Sequence, residues 1–303
     1  MKIFHYYLCR QLKGGGMEIK MRRCIFCMKF KDEQAFNKEH IILDSLGGSG
    51  INNILDCVCM ECNSKLGTKI DSMFVNDVIT EGIRFQLKIK GRNGVPDPFK
   101  QIPINYADTS ITGKLKSDKE GNIIRFRADC QEIELIDGKT LIIAPRKNFV
   151  GYVDSCLKKK GIFLSKEEIL QNRLEVKNPK IPTIKYIKPT EEYEDLYLYR
   201  AMPLLLKMAY EFSVLKLGNG YLEDPIANNI RKCINQLLVD NTEIQLPTSM
   251  EVEYRNNLER KTTIGFEVED LLLYVKICIL GTVRGKILVS EECNKYKFDT
   301  INE

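Results

Sequence analysis

Four cysteines fall as two pairs, Cys24-x-x-Cys27 and Cys59-x-x-Cys62, with 31 residues between the pairs. Each pair folds as a knuckle that aims two thiolates at one ion, and two knuckles complete a closed, tetrahedral four-cysteine Zn²⁺ site. Cys57 competes with Cys59 by position, but only Cys59 and Cys62 have the two-residue spacing. A closed zinc site holds a small fold together and leaves no ligand position for a reacting group, so any chemistry rests on the neighbours. Those are Glu39-His40, Asn53 after the turn Gly47-Gly48-Ser49-Gly50, and Asn63 directly after the last cysteine. His40 is the sole histidine of this segment and the natural general base near neutral pH.

This arrangement resembles the HNH nuclease family, whose ββα-metal core is often tied to a four-cysteine zinc. "EHIILDSLGG" is similar to that family's His-bearing strand and Gly-Gly turn, and "CMECNSKLG" to its second knuckle running into the helix. Hydrolysis of a phosphodiester needs a base to activate water and a divalent ion to neutralise charge on the phosphate and the leaving oxygen. The resemblance implies His40 as the base, Glu39 and Asn63 as oxygen ligands of a catalytic Mg²⁺ or Mn²⁺, and Asn53 as the residue that holds the turn and orients His40. Two departures from the commonest pattern stand out: Glu39 replaces the frequent Asp, and Asn63 replaces His, which favours a hard ion.

Simpler roles compete with these. Asn53 fits a turn, with Asn52 next to it as the alternative, and Asn63 fits a helix cap. Adjacent strand residues face opposite sides, so Glu39 and His40 share a site only where the strand bends or ends. Lys65 and Lys69, four apart, offer phosphate contacts or plain solvated charge. A non-catalytic zinc ribbon that binds nucleic acid or protein would need neither Glu39, His40 nor Asn63. An RNA-cleaving toxin is the other enzymatic alternative.

The elements that must position these residues read as α+β: a zinc-stapled ββα-metal module followed by a mixed β-strand and helical region. Residues 1–20, with Lys13-Gly14-Gly15-Gly16, read as a flexible segment, 21–90 as the module, and 91–303 as a region for target recognition, dimerisation or regulation, with a subdivision near 185. Turn signals at 120–122 and 137–138 separate β-rich runs over 104–146. A helix is expected over 149–159 and another from Ser165, where Glu168 completes a capping box. "VKNPKIPTIKYIKPT" reads as a Pro-punctuated connector. Two longer helices follow, one ending at Gly218 with Pro203 inside it, one starting at Asp224-Pro225. Two or three antiparallel strands close the chain.

Eleven cysteines, an odd number, fit a metal site plus reduced thiols better than a disulfide framework. No apolar run is long enough to span a membrane, and a cytoplasmic protein is expected. The net charge of +5 concentrates in residues 1–100, where Lys2, Arg10, Lys13, Lys20, Arg22, Arg23, Lys29 and Lys31 face only Glu18 as far as position 31. That run reads either as a solvated basic tail or as a phosphate-contacting arm beside the cysteine module. DNA is the expected substrate with RNA left open, a homodimer would allow two nicks, and the second half would take an activating ligand or protein partner. The resemblance further implies a place in bacterial restriction or anti-phage defence.

Overall fold

The computed structural model describes residues 21–48, 53–98, 104–105, 111–118, 120, 122–135, 138–173, 191–239 and 248–297. The chain divides into two compact units. The first joins residues 1–92 to 187–303, and the second is 93–186. The second unit is thus inserted between two stretches of chain that pack with each other.

In the first unit, β1 (Met21–Arg23) and β2 (Phe30–Asp32) form the hairpin that carries the first cysteine pair. β3 (Phe36–His40) pairs antiparallel with β4 (Ile54–Cys59), which runs straight into α1 (Met60–Leu66). A π-helical turn, Gly67–Asp71, follows and leads to α2 (Ser72–Val75) and α3 (Val78–Gln86). The turn after β3 needs its glycines. Gly47 has φ of +80°, and a Cβ on Gly48 would stand 2.2 Å from the carbonyl oxygen of Ile42.

α6 (Glu191–Leu217) runs unbroken through Pro203 and ends at Gly218, and α7 (Pro225–Val239) begins under the Asp224 cap. Both pack on a four-stranded antiparallel sheet of order β10 (Met250–Tyr254), β13 (Val283–Ser290), β12 (Leu272–Ile279), β11 (Thr263–Glu269). Strand β10 was not among those expected from the sequence. Leu204, Leu205, Leu206 and Met208 of α6 are fully buried, each contributing about 1.5–3 kcal/mol of transfer free energy. Tyr197 stacks on Phe74 at 5.2 Å and hydrogen-bonds Thr80, so it packs α6 on the module. Thr262 donates to the carbonyl of Leu46 at 2.5 Å, tying the sheet to the turn after β3.

The second unit contains β5 (Ile104–Asn105), β6 (Thr112–Ser117) and β7 (Ile123–Ala128) in one antiparallel sheet, and β8 (Gln131–Glu134) paired with β9 (Thr140–Ile143). α4 (Phe149–Lys159) and α5 (Lys166–Gln171) follow. The Ser165–Glu168 capping box is present as expected. The Pro-punctuated connector, Asn52 and residues 1–20 lie outside the described residues.

Candidate active site and metal centre

The metal centre is built by the ends of three elements. Cys24 follows β1, Cys27 occupies the knuckle before β2, Cys59 ends β4 and Cys62 lies in the first turn of α1. Met28, with φ of +58°, turns the first knuckle, and its amide donates to the carbonyl of Cys24 at 2.9 Å. All four sulfurs lie within 4.8 Å of one another, and Cys27 and Cys59 Sγ are 4.0 Å apart. A tetrahedron with Zn–S bonds of about 2.3 Å has sulfurs about 3.8 Å apart, so the set fits zinc. The amide of Cys59 donates to Cys24 Sγ at 3.4 Å, and Lys31 Nζ donates to Cys59 Sγ at 3.3 Å. The Cys24 thiol is pushed down to about 4, first by the hydrogen bond from Cys62. Cys57 is not part of the cluster.

α6 and α7 brace the knuckle from behind. Tyr210 donates to the carbonyl of Ile25 at 2.6 Å, and Asn235 donates to that of Phe26 at 3.0 Å. Tyr210 in turn accepts from Arg231 at 3.3 Å, and its ring lies 5.3 Å from that of Phe26.

The candidate reacting face is assembled on β3, β4 and α1. His40 is the last residue of β3, opposite Ile54, and is half-buried. The amide of Ile41 donates to the carbonyl of Asn53 at 2.9 Å, so Asn53 closes the strand pair just beyond His40. Asn53 thus touches the His40 strand through its backbone. Asn63 is not a cap, because Cys59 occupies the N-cap position of α1. Its amide donates across to Asn37 Oδ1 at 2.9 Å and to the carbonyl of Lys38 at 3.3 Å, which ties α1 to β3. The pairing of β3 with β4 slips between Asn37 and Glu39, where Lys38 faces two residues of β4.

Glu39 is engaged by α6. The residue is 4% exposed, and Oε1 lies 2.6 Å from Lys207 Nζ of α6. Lys207 is fully buried and also donates to both carboxylate oxygens of Asp71, at 2.8 and 2.9 Å. Glu211, one helical turn on, is fully buried with neither carboxylate oxygen hydrogen-bonded. Burial pushes Glu211 well above the usual carboxylate range and raises Glu39 as well, against the pull of Lys207. Three carboxylates therefore surround one buried ammonium, and the π-turn is what delivers Asp71 to it. The sequence reading missed Lys207, Asp71 and Glu211. Their signal was a lysine and a glutamate four apart inside the otherwise apolar run "MPLLLKMAYEFSV".

The basic run near the N-terminus differs from expectation where it is described. Arg22 pairs with Glu33 and Asp56, Arg23 with Glu223, and Lys31 with Glu61. Lys65 is likewise held by Glu61, at 2.9 Å, while Lys69 stands exposed in the π-turn.

A β-hairpin running into a helix, with a histidine ending the first strand and a four-cysteine cluster at the base, defines a ββα-metal module. Residues 24–79 match the family model described as HNH endonuclease. No curated protein and no solved structure matches the chain. No helix among the described residues is long and apolar enough to cross a membrane.

Proposed function

We propose that the protein is a metal-dependent endonuclease that hydrolyses phosphodiester bonds of DNA. The observation that carries this reading is the coincidence of the family match over 24–79 with a hairpin and helix bearing His40 and Asn63 on neighbouring elements. His40 takes the proton from water as general base. Asn63 supplies an oxygen to a hard divalent ion, Mg²⁺ or Mn²⁺, and Glu39 adds its carboxylate while remaining the partner of Lys207. Such an ion would neutralise charge on the scissile phosphate. Asn53 fixes the backbone beyond His40. Cys24, Cys27, Cys59 and Cys62 hold the structural zinc. The setting assigned to it is cytoplasmic, in bacterial restriction or anti-phage defence, with two copies making two nicks.

One observation favours a second reading, a zinc-stapled nucleic-acid-binding module without catalysis. The Glu39 carboxylate is already engaged by a buried lysine. Cleavage of DNA with and without divalent metal, set against His40→Ala, separates the two.

A further inference from the structure

The second unit carries a cationic surface of its own. β6 and β7 pair with Lys114 opposite Arg127, Leu115 opposite Phe126, and Lys116 opposite Arg125. Strand alternation puts Lys114, Lys116, Arg125 and Arg127 on one face, and all four are exposed. The other face is apolar. Leu115 is 1% exposed, and a Cβ on Gly113 would meet the Phe126 ring at 2.5 Å, so that side is packed and the ribbon cannot turn over.

Like charges directly opposite each other on an antiparallel pair are destabilising, and here two such pairs are adjacent. Among the described residues no carboxylate pairs with any of the four. This contrasts with the first unit, where Arg22, Arg23 and Lys31 are all neutralised. The turn carrying Arg146 and Lys147 borders the same depression, lined with Lys116, Arg125 and Arg127 and without an acidic side chain. Asp97 and Asp129 border the neighbouring depression, which Lys114, Lys116 and Arg127 also line. Residues 93–186 hold 17 Lys and Arg against 12 Asp and Glu, which equals the net charge of the entire chain. Repulsion within an isolated ribbon is relieved when a polyanion lies along it.

We infer that the face of the β6–β7 ribbon formed by Lys114, Lys116, Arg125 and Arg127 binds the phosphate backbone of duplex DNA. The inference rests on the nuclease reading for the identity of the polyanion, and it assigns a contact to the unit that carries no catalytic residue. The cations repeat at about 7 Å along each strand and about 5 Å across, a density suited to a chain of phosphates. Contacts of this kind hold DNA without reading its sequence.

The test is binding of the full chain to a labelled 30-base-pair duplex by fluorescence anisotropy in EDTA, where no cleavage occurs, over a salt series. The comparison is with the quadruple variant Lys114→Gln, Lys116→Gln, Arg125→Gln, Arg127→Gln. Each phosphate contact adds about 0.9 to the slope of log affinity against log salt, so the variant's slope is expected to be shallower by about 3.6, with affinity down at least about tenfold. Its melting temperature is expected to hold or rise, because repulsion has been removed. A control, Lys65→Gln with Lys158→Gln, removes cations that already have carboxylate partners and is expected to bind like wild type. A folded quadruple variant with unchanged slope overturns the inference. So does a wild-type chain that ignores duplex and binds only anionic vesicles. Binding that is lost in the variant while wild type cleaves nothing in Mg²⁺ keeps the ribbon and removes the nuclease reading.

Discussion

Lys207 Nζ stands 2.6 Å from Glu39 Oε1, so a helix from the C-terminal third of the chain holds the acidic residue of the Glu39-His40 motif. The module and α6 are thereby locked together at the strand that carries the candidate base. Lys207→Met would leave Glu39 and Asp71 buried without a counter-charge. Breaking a buried ion pair from one side costs about 3–5 kcal/mol, and a loss of that order in urea unfolding is expected. A loss below about 1 kcal/mol would contradict a structural role for this lysine.

Glu39→Gln separates two roles of one carboxylate. As a ligand of the catalytic ion, Glu39 contributes charge that an amide cannot replace, so the variant is expected to need at least about tenfold more Mg²⁺ for half-maximal cleavage. If the Mg²⁺ requirement is unchanged and only stability falls, Glu39 serves Lys207 alone.

The zinc cluster makes a sharper prediction because Cys57 is so close in sequence. Zinc content measured on purified protein is expected to be one per chain in wild type and in Cys57→Ser, and to be lost in Cys62→Ser with unfolding of the module. Loss of zinc in Cys57→Ser would place that sulfur in the coordination sphere.

Glu211 gives the stability a pH dependence of defined sign. Its folded-state pKa is raised by burial, so its stabilising protonated form is fully present below the unfolded value of about 4.3. That contribution is lost as pH rises through the folded value, and Glu39, also raised, adds in the same direction. Lys207 is shifted upward and stays charged throughout this window. Wild type is therefore expected to lose melting temperature as pH rises above the unfolded carboxyl value of about 4.3, and Glu211→Gln to follow a flatter profile. Parallel profiles would show that Glu211 takes up no proton on folding.

Much of this was legible where the signal is local. Each Cys-x-x-Cys pair, the Ser165–Glu168 box and the Asp224-Pro225 start is set by residues within four positions of one another, and all are found where expected. The exit of Asn63 from a capping role follows from Cys59 taking the N-cap, a matter of one turn of helix phase. What could not be read is what the fold joins over distance. Lys207 meets Glu39 and Asp71 only because α6 packs back across the module, and the C-terminal third shares a unit with the first 92 residues. The ribbon cations alternate in the sequence with apolar neighbours, but only the register of β6 with β7 sets them opposite one another.

The central claim is that His40 is the base of a metal-dependent nuclease, and cleavage of supercoiled plasmid tests it most directly. Wild type and His40→Ala are compared in Mg²⁺, in Mn²⁺ and in EDTA, with zinc content and melting temperature measured on both. The account predicts metal-dependent nicking by wild type, its loss in EDTA, and a drop of at least about a hundredfold in His40→Ala with zinc and melting unchanged. Equal cleavage by the two proteins in Mg²⁺ would contradict it.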